Sequence, residues 1–61
     1  MPDVDFQVGD AVRVLEGPFK NFVGVVREVP MTFTEPITVG IGLQGREIAV
    51  EVNRYHVERI R

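Results

Sequence analysis

Catalysis needs a nucleophile, a base or a metal, and this sequence is nearly bare of the residues that supply them. It has no serine and no cysteine, one lysine (Lys20) and one histidine (His56). A Ser-His-Asp arrangement is therefore impossible, and a zinc site lacks both thiolates and a second imidazole. His56 reads as a surface or rim residue beside Tyr55. Glu47 and Glu51 fall on one face of a strand pattern, which marks a solvated face more than an acid–base pair. Gly40 and Gly42 open no helix, so no phosphate-binding loop is present. The sequence predicts a non-enzyme with no cofactor and no metal. What remains is recognition. Phe19 and Phe22 flank Lys20-Asn21 in a loop where polar residues are the norm. Such phenylalanines either plug the end of a barrel or anchor a partner, and we expect one buried and one exposed.

The elements that position these residues read as strands. Val12 and Val14 alternate with Arg13 in a first strand over 11–16. Gly17-Pro18 breaks it, because Pro18 has no amide to donate and Gly17 can take a positive φ. A second strand runs over 23–29, where Gly24 suggests a bulge or a close backbone approach. Pro30 and Pro36 bracket a loop. A third strand follows over 37–43, with Ile37, Val39, Ile41 and Leu43 on one face and Thr38, Gly40 and Gly42 on the other. Two glycines in a strand need a reason, and bending around a small barrel is the favoured one. Gln44-Gly45 makes a two-residue hairpin turn into a fourth strand over 47–52. Asn53-Arg54-Tyr55 is a tight turn before a closing strand over 56–60. Strands without a helix describe an all-β, five-stranded, SH3-like barrel. Its expected core is Val12, Val14, Val25, Val39, Ile41, Ile48, Val50 and Val57, and Val50→Asp is expected to unfold it.

A chain of 61 residues holds one small domain, read here as 6–61 behind a linker end or free terminus over 1–5. With no cysteine, neither disulfides nor thiolate metal sites can supplement the core. Seven basic and nine acidic residues give a net charge of −2, and most basic residues have an acidic neighbour within three positions. That pattern argues against general nucleic-acid binding, which uses a clustered positive field. No apolar run approaches a membrane span and no signal-peptide pattern is present, so a cytoplasmic monomer is expected.

Val8-Gly9-Asp10-Ala11-Val12-Arg13-Val14, then Glu16-Gly17-Pro18-Phe19, then Phe22-Val23-Gly24-Val25-Val26 resemble the KOW domain of the NusG transcription factors. The likeness resumes at Gly45-Arg46-Glu47 and Val50-Glu51-Val52 and closes on Val57-Glu58-Arg59-Ile60. The resemblance implies the same barrel and a protein-recruiting role in transcription elongation, termination or antitermination. The partners it implies are NusE, a small-subunit ribosomal protein, or the termination factor Rho, met by edge pairing plus an apolar patch. The contact positions it carries over are Phe19, Phe22, Val26, Leu43 and Arg46. This chain departs from the family in having Gln44 where an aromatic residue is common, and a Pro30–Pro36 loop in place of a more charged turn. An RNA- or ribosome-binding KOW module of the ribosomal-protein kind is the alternative reading, and a barrel without a partner is a third.

Overall fold

The computed structural model describes residues 5–60. Most of the linker read over 1–5 lies outside them. Five antiparallel strands form one curled sheet: β1 (Ala11–Val14), β2 (Val23–Glu28), β3 (Ile37–Leu43), β4 (Arg46–Val52) and β5 (Val57–Arg59), in the order β4-β3-β2-β1-β5. This is the expected five-stranded SH3-like barrel. A single 3-10 turn, Arg54–His56, interrupts the all-strand reading. Asn53 caps it, its side-chain oxygen accepting from the Tyr55 amide at 2.8 Å.

Five strand ends differ from the sequence reading, among them the start of β4, which begins one residue early at Arg46. β1 stops at Val14, because the chain turns away toward Gly17 at φ +94°. β2 stops at Glu28 after a bulge between Val26 and Glu28, and the 3-10 turn shortens β5 to three residues. The β3–β4 hairpin is as expected. Gln44 and Gly45 both take positive φ, 51° and 80°, the geometry of a type I′ turn.

The core is Phe6, Val12, Val14, Val26, Ile37, Val39, Ile41, Val52 and Val57. One expected member is replaced. Val25 lies on the outer face, half-buried, and Val26 points inward in its place. The register fixes this phase: Gly24 pairs with Val12 and Val26 with Val39, and paired residues share a face. Ile48 and Val50 point inward as expected but are only half-buried, because β4 is the terminal strand. Phe6 is buried ahead of β1, with the Arg59 guanidinium 5.4 Å from its ring centre.

Two strand glycines, Gly24 and Gly40, sit where a side chain would collide with a neighbour. A Cβ on Gly24 would lie 2.5 Å from the Gly40 carbonyl oxygen and 2.7 Å from Val39 Cγ1. This is the close backbone approach expected there. At Gly40 the missing side chain leaves room for a neighbouring one. A Cβ would sit 2.5 Å from Glu47 Cδ, in the lane by which Glu47 on β4 crosses β3 to reach Arg27 on β2. Nothing comparable crowds Gly42.

The Arg27–Glu47 pair is bidentate, with Nε to Oε2 at 3.0 Å and Nη2 to Oε1 at 2.7 Å. Those hydrogen bonds, helped by the guanidinium charge against a partial loss of hydration, hold the Glu47 carboxyl below its ordinary range. A carboxyl lowered by folding stabilises above its unfolded value, and the contribution is lost as pH falls through the folded one. In Gly40→Ala the new methyl should displace the flexible Glu47 side chain from Arg27. Side-chain carboxyl NMR should then show Glu47 titrating below the ordinary carboxylate range in the wild-type chain, and higher in Gly40→Ala.

Candidate protein-binding site

The loop between β1 and β2 is tied down by its own backbone. The Lys20 amide donates to the Gly17 carbonyl at 3.1 Å, Asn21 to Val14 at 2.7 Å and Phe22 to Phe19 at 3.0 Å. Gly17 at φ +94° and Asn21 at φ 74° supply the left-handed positions this path requires. The amide of Val14 donates to the Phe22 carbonyl at 2.9 Å, so the chain is already extended before β2 begins.

This path brings the two phenylalanines together. Their rings meet edge to face, with centroids 5.7 Å apart at 89°. Phe19 is half-buried against the core and Phe22 is 38% exposed. The division expected from sequence is therefore close to the observed one, with Phe19 only partly inside.

The sheet then carries this pair toward the hairpin. Gly24 pairs with Ile41, and the same register continued outward sets Phe22 across from Leu43. Leu43 in turn pairs with Arg46. The loop that carries Phe19 and Phe22 and the hairpin that carries Leu43 and Arg46 thus lie at one end of the sheet, although they are far apart in sequence. Leu43 is half-buried on the edge of the core, while Arg46 is exposed and has no ion pair among the described residues. Val26 is different. It is 0% exposed in the middle of the core and offers no surface. It can only support a site from below, and its place among contact residues is corrected accordingly.

The KOW motif family matches residues 8–31, which run from the entry into β1 through the phenylalanine loop and β2. A transcription termination/antitermination protein NusG of Neisseria meningitidis is 46% identical over 59 residues, covering 97% of this chain and 33% of its own length. The NusG of Halalkalibacterium halodurans is 36% identical over 58 residues, covering 95% and 32% respectively. The chain belongs to the KOW domains of the NusG family. It spans about a third of the length of these relatives. A solved structure of Thermotoga maritima NusG, described as showing domain interaction, superposes on the KOW domain with a TM-score of 0.84. It is 34% identical and covers 97% of this chain and 33% of the other.

Some features of the KOW domain were not legible as a pattern. Arg54 is buried, donates to the Pro30 carbonyl at 2.7 Å, and lies 4.5 Å from the centre of the Phe33 ring. It pins the Pro30–Pro36 loop, on which Met31 and Phe33 stand exposed. Sequence spacing carries no sign of this contact, which spans more than twenty residues. Among the described residues no group of histidine, cysteine or acidic side chains could hold a metal. No helix there is long and apolar enough to cross a membrane.

Proposed function

We propose that this KOW domain recruits a protein to the transcription machinery, using Phe19, Phe22, Leu43 and Arg46 as its contact surface with Val26 supporting them from the core. What supports the reading is the edge-to-face pair of Phe19 and Phe22, in a loop at the same end of the sheet as the hairpin that carries Leu43 and the exposed Arg46. That composition is typical of an interface centre. The relatives are named as transcription termination/antitermination proteins, and the family resemblance points to NusE or Rho as the partner. Gln44 at the hairpin tip takes away an apolar anchor, so the load falls on Phe22. Edge pairing is available too, since β4 ends the sheet and an edge strand presents unpaired backbone groups.

The RNA-binding reading is disfavoured by where the cations sit. Arg27 and Arg59 are engaged by Glu47 and Asp10, Arg13 lies 3.9 Å from Glu58, and Arg54 is buried. Few phosphate contacts are left to make, so RNA should bind more weakly than ~10 µM at physiological salt. Calorimetric titration of the domain with NusE, with Rho and with single-stranded RNA tests the choice. Binding to one of the two proteins with little response to RNA is expected; tight, strongly salt-dependent RNA binding would reverse it.

A further inference from the structure

A second feature lies beside the aromatic patch and is built differently. A cleft of about 190 Å³ opens between the β1–β2 loop and the end of β4. Val14, Phe19, Val50 and Val52 supply its apolar lining, and Glu16, Glu51, Asn53 and His56 its polar one. Pockets for cofactors and drug-sized ligands usually run to ~300–1,000 Å³, so this one suits a single long side chain.

We propose that this cleft receives a cationic side chain with an aliphatic stem, arginine in the first place, carried on an extended segment of the recruited protein. The proposal rests on the protein-recruiting reading above and adds the chemistry of a second contact to it. Charge complementarity is the first argument. Glu16 brings a carboxylate to the cleft, and no lysine or arginine lines it. Glu51 reaches it from the strand backbone, its side chain being on the opposite face of β4 from Val50 and Val52. The Glu16 side chain is 67% exposed, and its neighbour His56, at 3.8 Å, is charged only when protonated. A neutral imidazole leaves the Glu16 carboxylate to an incoming cation.

The apolar lining selects among cations. A guanidinium is weakly hydrated and stacks on aromatic faces, so Phe19 favours arginine over the compact, strongly hydrated lysine ammonium. The long methylene stem can cover Val50 and Val52 while the charge stays at the wet rim. Position is the second argument. The cleft runs along the last residues of the terminal strand β4, and a strand added to a sheet edge delivers alternate side chains into pockets beside it. Phe19 belongs to both the cleft and the aromatic patch, so one partner segment can reach both.

The test uses n-butylguanidinium as probe and n-butylurea, its uncharged counterpart, as control, each titrated into nitrogen-15-labelled domain. We expect the cation to shift the amides of Glu16, Gly17, Phe19, Glu51 and Asn53 several-fold more than those of Glu28 and Glu35, which are exposed glutamates elsewhere. The urea should not reproduce this. In Glu16→Gln the preference should vanish; the side chain is exposed, and the dispersion of the spectrum verifies folding. Glu51→Gln, which removes a carboxylate from the outer face of β4, should leave the preference in place. Equal shifts with both probes, or a response indifferent to loss of the Glu16 carboxylate, would overturn the proposal. The probe needs no protein partner, so failure at the cleft is distinguishable from failure of the Phe22 surface to recruit one.

Discussion

Val39→Asp is expected to leave the domain unfolded. Val39 has no exposed surface, lies on β3 between β2 and β4, and has Gly24 packed against its Cγ1. A carboxylate there can reach neither water nor a cation, and burying it unpaired costs several kcal/mol. A domain this small has ~5 kcal/mol to lose. Val50→Asp, expected from sequence to be equally damaging, should be milder. Val50 is half-buried on the terminal strand and lines the open cleft, so its carboxylate can turn toward solvent. Far-UV circular dichroism and thermal unfolding should show the first variant without a cooperative transition and the second folded with a lowered midpoint. A folded Val39→Asp, or equal losses in the two variants, would mean that the core is not centred on β3.

Which parts were legible follows from how each residue signals its place. β3 alternates cleanly from Ile37 to Leu43, and its bounds and inward face match the structure. The Gln44-Gly45 turn was legible because glycine at its second position suits a positive φ. β2 was less so. Val23, Val25 and Val26 are all apolar, so either phase fits the pattern, and only pairing with Val12 and Val39 shows that Val26 is the inward residue. The lane over Gly40 was invisible because its occupant, Glu47, comes from the next strand. The cleft and the Arg54 contact with the Pro30–Pro36 loop depend on long-range closure, which no local spacing encodes. For the candidate site, the phenylalanines announced themselves by standing in a loop, while the placement of that loop at the same sheet end as Leu43 required the strand pairing.

Phe22→Ala should abolish most partner binding while leaving the barrel intact. The ring is 38% exposed and rests edge-on against Phe19, outside the main cluster of buried residues. Truncation therefore forfeits an aromatic contact worth about 1 kcal/mol to the fold, which even a small domain survives. An aromatic anchor at an interface centre typically accounts for ~2 kcal/mol or more of binding, roughly a 30-fold loss of affinity. Gln44 sharpens the expectation, because the hairpin tip has no aromatic ring to compensate. Calorimetry on the folded variant checks the magnitude. A loss below about fivefold, less than ~1 kcal/mol, would move the anchor elsewhere.

The most direct test is an NMR titration of the labelled domain with NusE, and separately with Rho, mapped residue by residue. With one of these partners, the largest shifts should fall on Phe19, Phe22, Leu43 and Arg46, and they should disappear in Phe22→Ala. Shifts confined to other faces of the barrel, or none with either protein, would contradict recruitment through this surface.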